Sequence, residues 1–172
     1  MAIEVGELAA RISKLPPLAG STRVIAIDGA AGSGKTTLAA RLGEQLAGSF
    51  VLNTDQLYYG WDGLAEGSRR LVDDVLRPLS EGEVATVRAW DWSAASEAEP
   101  RAVPSCETLI VDGAGCGSRA AAEFLSMIIW LDAEPEVRQR RALDRDGEMF
   151  APHWERWAEQ ERQLFELEQT RE

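Results

Sequence analysis

Apolar residues along the chain fall into two rhythms. Val5, Leu8, Ile12 and Leu15 recur at helical spacing and predict a short amphipathic helix over 4–15, stopped by Pro16 and Pro17. Val24 to Ile27 instead form a continuous apolar run ending in a glycine, as a buried parallel strand does before a tight turn. Leu38, Leu42 and Leu46 return to helical spacing, with Gly48 as a stop, so 23–48 reads as strand, glycine loop, helix.

Three later apolar runs, "SFVLNTD" (49–55), "TLIVDG" (108–113) and "MIIWLD" (127–132), have strand character, each closing on an acidic residue or a turn. Between them Leu71, Val75, Leu76 and Leu79 line one face of a helix over 67–80. From 152–170, Trp154, Trp157, Leu164 and Phe165 stand against many glutamates and predict a long amphipathic helix. "SAASEAEP" (93–100) reads as a flexible loop. Strands alternating with helices predict an α/β domain in three layers around a mostly parallel sheet.

Composition narrows the partners. The 172 residues are 45% hydrophobic and 27% charged, which suits a single domain with one core, and the formal net charge of -11 repels nucleic acid and anionic membranes. Cys106 and Cys116 form no CxxC pair and support neither a disulfide framework nor a zinc site. No run approaches the ~20 apolar residues of a membrane span, so a cytoplasmic setting is the expectation.

Lys14 and Lys35 are the only lysines, and Lys35 falls inside a glycine-rich loop. Gly29, Ala30, Ala31, Gly32, Ser33, Gly34, Lys35 and Thr36 match GxxxxGK[ST], a P-loop, with Thr37 following. Glycines let successive N–H groups point inward at phosphate oxygens, and the helix that begins near Gly34 adds its positive end. Lys35 would span the β- and γ-phosphates of ATP and the Thr36 hydroxyl would ligate Mg2+. An acidic partner for the metal is expected at a strand end. Asp112 is favoured, with three glycines just beyond it, over Asp132.

"NTDQLYYGWDG" (53–63) sets Asp55 beside Tyr58, Tyr59 and Trp61. Asp55 could take the proton of an attacking hydroxyl or hold a magnesium water, with the rings stacking on a planar substrate, or Asp55 or Asn53 could cap the next helix while the rings pack. In "VRQRRALDRDG", Arg138, Arg141 and Arg145 share one helical face that could meet a polyphosphate, or pair with Glu134, Glu136 and Asp144.

These segments, with "RAWDW" (88–92), occur in the order seen in uridine kinase-like P-loop kinases, a family that includes phosphoribulokinase and pantothenate kinase, and the chain resembles that family from 23 to about 147. It also looks like the family's small actinobacterial-type members with a "HW..W...E" segment, here His153, Trp154, Trp157 and Glu161. The resemblance implies that Asp55 is a base and metal-shell residue, that Arg141 and Arg145 belong to a lid over 133–150, and that Tyr58, Trp90, Asp91 and Trp92 line an acceptor subdomain over 56–104. Tyr59 and His153 are further candidates for the acceptor, His153 equally for packing beside Trp154. Members usually carry a longer acceptor region and a further strand after the lid, which this sequence lacks before Glu172.

The expectation is therefore an ATP- and Mg2+-dependent kinase of a hydroxyl-bearing small molecule, nucleoside-like, with Lys35, Asp55, Arg141 and Arg145 as the catalytic set. The alternative is a nucleotide-binding regulatory or interaction protein without metabolite transfer. No NKxD motif for guanine is present. Oligomeric state is open.

Overall fold

In the computed structural model, which describes residues 4–169, four strands form one parallel sheet in the order Ser49–Asn53, Thr108–Asp112, Arg23–Asp28, Met127–Trp130. In chain order the elements are α1 (Val5–Ile12), β1 (Arg23–Asp28), α2 (Lys35–Gln45), β2 (Ser49–Asn53), α3 (Leu64–Arg70), α4 (Arg77–Ser80), β3 (Thr86–Val87), β4 (Trp90–Asp91), β5 (Ser96–Glu97), β6 (Arg101–Ala102), β7 (Thr108–Asp112), β8 (Met127–Trp130), α5 (Pro135–Phe150) and α6 (Trp154–Glu168). The expected strands and the flanking helices are all present. Thr170, where the predicted last helix ends, lies outside the described residues. Among those described, no helix is long and apolar enough to cross a membrane.

The continuous apolar runs are explained by burial on both faces of the sheet. Val24 and Ala26 of β1, with Leu109 and Val111 of β7, pack into one core with Leu71, Val75 and Leu76. The intervening Ile25, Ile27 and Ile110 pack into another with Leu8 and Ile12 of α1 and Leu42 of α2. An eight-residue helix is not stable by itself. What holds α1 is the burial of Leu8 and Ile12, each worth about 1.5–3 kcal/mol.

The helix predicted over 67–80 runs longer, from Leu64 to Ser80, and widens by one turn over Leu71–Leu76. Pro78 is the physical reason: it has no N–H for a carbonyl one turn back, and its ring would strike that carbonyl in a regular helix. Leu71, Val72, Val75 and Leu76 stay buried through the widened turn.

The segment 93–100 is not a loop in its first half. Trp90–Asp91 pairs antiparallel with Ser96–Glu97, and Asp91 Oδ1 accepts the N–H groups of Ser93 at 2.8 Å and Ala94 at 2.9 Å, closing a turn. Small polar residues suggested flexibility, but the aspartate at the turn's start supplies the missing acceptor. Ala95 sits at φ 49, so Ala95→Gly is expected to leave stability unchanged or raise it by up to about 1 kcal/mol in a urea titration. A loss would show the turn is held otherwise.

Candidate functional site

The carboxyl ends of β1, β2 and β7 open on a cavity of about 410 Å³. A crevice beyond the strand ends of a parallel sheet is where such folds bind ligands. Ala31, Gly32, Lys35 and Thr36 line one side, Asp55 and Asp112 the floor, and Arg145 and Asp146 a wall from α5. Trp61, Trp92, Phe150 and Trp157 dominate the apolar part of the lining.

The loop between β1 and α2 is a backbone cradle. Gly34, at φ 103, is the left-handed residue preceding α2, which begins with Lys35. Gly32, at φ 78, is held against the start of α5: a Cβ there would approach the Arg138 carbonyl oxygen to 2.1 Å. Lys35 is 8% exposed and donates from Nζ to the Ala30 carbonyl at 3.0 Å. Ser33 Oγ is buried without a partner. Thr37 faces a separate shallow pocket with Gly34, Leu38, Arg41 and Arg141.

Asp112 is buried at the end of β7. Its Oδ2 accepts from Asn53 Nδ2 at 3.0 Å, while Oδ1 has no partner. Burial raises its pKa, opposed first by the Thr36 hydroxyl and then by Lys35. An orphaned carboxylate oxygen next to a P-loop hydroxyl fits Mg2+, which takes one or two protein oxygens and leaves its other positions to phosphate and water. Among the described residues no group of three His, Cys, Asp or Glu could bind a metal unaided. Asp132 lies elsewhere, near Arg138.

Asn53 also organises Asp55, its Oδ1 accepting the Asp55 N–H at 2.7 Å. The Asp55 carbonyl in turn accepts from Trp92 Nε1 at 3.0 Å, tying the β4–β5 hairpin to the cavity. The surrounding protein raises the Asp55 pKa, with Arg145 and Lys35 opposing, although the side chain itself opens onto the cavity. A carboxylate shifted upward is a better proton acceptor near neutral pH.

The expected set divides. Tyr58 reaches the cavity only as a wall: it is buried, and its hydroxyl bonds Thr54 Oγ1 and the Ala114 carbonyl. Tyr59 and Trp90 do not line the cavity; they pack on each other at 5.3 Å, with Arg70 3.8 Å over the Tyr59 ring. Asp91 is taken up by its turn. His153 stacks on Trp61 at 4.4 Å, outside the lining. The arginines part company as well. Arg145 reaches the cavity, Arg141 lines the shallow pocket, and Arg138 donates to the Ala133 and Ala31 carbonyls. Residue spacing put the three on one face of α5, but that helix crosses the loop, so successive turns meet different neighbours.

Two residues outside the predicted site are central to it. Asp28, fully buried, accepts N–H groups from Gly29 at 2.6 Å, Gly115 at 2.9 Å and Gly117 at 2.8 Å, joining the P-loop to the loop after Asp112. That loop needs glycine for packing, since a Cβ on Gly113 would fall 1.7 Å from Thr54 Oγ1. Glu161 of α6 is 2% exposed and accepts the Ala31 N–H at 2.7 Å. An acid directly before the glycine loop was the readable signal for Asp28, and the "HW..W...E" segment was the one for Glu161.

Asp28, Asp112 and Glu161, all buried, have raised pKa values, with burial the first cause in each. The folded state therefore binds their protons more tightly than the unfolded chain. Stability from this source is fully present below the unfolded values of 3.8 for Asp and 4.5 for Glu, and falls as pH rises through the raised ones. The ligand-free protein is expected to lose urea resistance from about pH 4 toward neutrality, and Asp112→Asn to flatten that slope and raise the midpoint at neutral pH. A wild-type midpoint that rises across this range would contradict the sign.

A family model described as an AAA domain matches residues 25–160. Among solved structures, one titled a possible uridine kinase from Bacillus stearothermophilus aligns over 96% of this chain and 91% of its own, at 19% identity and TM-score 0.67. A putative fructose transport system kinase from Silicibacter sp. TM1040 aligns over 91% and 88%, also at 19% identity and TM-score 0.67. At that identity the likeness is one of fold, a P-loop α/β architecture. No curated protein matches the sequence.

Proposed function

This chain belongs to the AAA domain family, and from that premise we propose that it is a P-loop phosphotransferase moving the terminal phosphate of a nucleoside triphosphate, ATP, to a hydroxyl of a small acceptor. The observation that carries the reading is the meeting of Lys35, Thr36, Asp55, Asp112 and Arg145 around one cavity whose other side is aromatic. A nucleotide-binding protein without an acceptor needs the first half of that lining and not the second.

In this reading the loop N–H groups and Lys35 would hold the β- and γ-phosphates, and Thr36 and Asp112 would hold Mg2+, which would supply charge neutralisation. Asp55 accepts the proton of the acceptor hydroxyl as that oxygen bonds to the γ-phosphorus and the bond from the γ-phosphorus to the β–γ bridging oxygen breaks, with ADP leaving. Arg145, already fixed by Asp146 through contacts of 2.9 and 2.6 Å, offsets charge on the transferring group. Arg141, in the shallow pocket beyond Gly34, would face the nucleotide farther from its terminal phosphate. Residues 133–150 act as the lid and 56–104 as the acceptor region.

The acceptor class follows from the rings. Trp61 packs on Trp92 at 4.7 Å, stacks on Phe150 at 5.3 Å and meets Trp157 edge-on at 6.4 Å. Such a wall favours a flat hydroxyl-bearing molecule, a nucleoside first. ADP release from MgATP is measured across nucleosides, nucleoside monophosphates, sugars and pantothenate-like alcohols, with Asp55→Ala beside the wild type. One acceptor is expected to raise turnover well above the water rate, and Asp55→Ala to remove that rise while still binding nucleotide. If no acceptor accelerates turnover and Asp55→Ala behaves as wild type, a nucleotide-binding regulatory protein is the better account.

A further inference from the structure

Glu161 is an acidic side chain seated among groups that should receive an anion. Its Oε1 accepts both the Ala31 N–H, an amide of the phosphate loop, at 2.7 Å and the Trp157 indole N–H at 2.9 Å. It lines the same cavity as Lys35, Thr36 and Asp112. Burial raises its pKa, and Lys35 and Arg138 are the charges that oppose the rise by favouring the ionised form; Lys35 is also the cation of the phosphate cradle. A carboxylate is an expensive way to cap one amide, because an amide oxygen would do so without burying a charge. Neutral alternatives of the same length exist, so the charge asks for a reason.

We propose that Glu161 is a specificity-determining residue that occupies the terminal-phosphate end of the cradle while it is empty and opposes the arriving phosphate, so that it grades triphosphate against diphosphate and passes the difference to Trp157. The inference rests on the nucleotide reading above. The argument for transmission is geometric: one oxygen serves both donors, so any displacement of the carboxylate from Ala31 alters the bond to Trp157. Trp157 in turn packs against Tyr58 at 5.1 Å and Trp61 at 6.4 Å, which are walls of the acceptor side. A change in terminal charge thus reaches the second substrate's wall through two contacts.

Calorimetric titration of the full chain with MgATP and with MgADP tests this in wild type, E161Q and E161A. Glutamine keeps both hydrogen bonds through its carbonyl oxygen and removes only the charge. E161Q is expected to tighten MgATP about tenfold, the effect of one charge removed from a partly shielded site, while MgADP shifts far less. E161A is expected to move the ratio the same way even where it lowers the melting temperature. Both nucleotides loosening equally in E161Q and E161A would make Glu161 a structural cap and overturn the proposal. Tryptophan emission supplies the second readout: ATP and ADP at saturation should differ in wild type and not in W157F, and equal emission in wild type overturns the transmission. A wild type that binds neither nucleotide sinks the nucleotide reading along with this one. Binding of both with an unmoved ratio sinks this inference alone.

Discussion

Lys35→Ala is expected to lower acceptor-dependent ADP release by about a thousandfold or more and to weaken MgATP binding, with Lys35→Arg recovering little of either. The lysine is 8% exposed, and its ammonium rests on the Ala30 carbonyl inside the loop, so it is already held where a phosphate oxygen would replace that carbonyl. Removing one preorganised donor from a site of charge development costs two to three orders of magnitude, and this donor also carries a full charge. It has a second duty. Lys35 opposes the pKa rise of Asp28, Asp55, Asp112 and Glu161, making it the shared countercharge of four carboxylates. Without it each holds its proton to higher pH, so on the proposed reading the variant would lose its phosphate clamp and also shift the titration of Asp55 upward. Arginine keeps the charge but is longer and planar, and the space beside Ala30 suits a point charge. A variant Lys35→Ala with turnover within tenfold of wild type would refute the cradle.

The frame around that lysine was legible because burial on both faces of a parallel sheet leaves an unbroken apolar run, which β1 and β7 display. The loop was legible because its glycines answer to backbone geometry that no other residue meets as easily. What escaped the sequence was mutual placement. Tyr58 and Tyr59 are adjacent, yet one is a cavity wall and the other packs under Arg70, since consecutive side chains leave the backbone in different directions. Arg138, Arg141 and Arg145 follow helical spacing, yet they meet the loop, the shallow pocket and the cavity in turn. Asp28 and Glu161 each left a signal in the chain but not their partners: the acid before the glycine loop and the acid closing the "HW..W...E" segment are visible, while the distant backbone N–H groups they accept from are not.

Asp28→Ala is expected to be the most destabilising single change at the site, by about 3–6 kcal/mol, or a fall of about 10 °C or more in melting temperature. Three N–H groups lose their acceptor at once, and a buried donor left unpaired costs about 1–3 kcal/mol. Two of them, on Gly115 and Gly117, lie in a stretch, Val111 to Ser118, that is buried throughout, so water cannot replace the carboxylate. One effect works in the other direction. Burial raises the Asp28 pKa, so the ionised group is itself costly and its removal returns part of that cost. The orphaned donors win because there are three of them against one carboxyl, which can also shed its charge by binding a proton. Asn at the same position keeps one accepting oxygen and should fall between the two. The loss should also reach function, since the loop that Asp28 holds carries the Ala114 carbonyl that fixes Tyr58 and follows directly on Asp112. Thermal unfolding with and without MgATP checks both parts: Asp28→Ala should melt early and gain less from nucleotide than wild type. A melting temperature within about 2 °C of wild type would mean the two loops are joined by something other than this carboxylate.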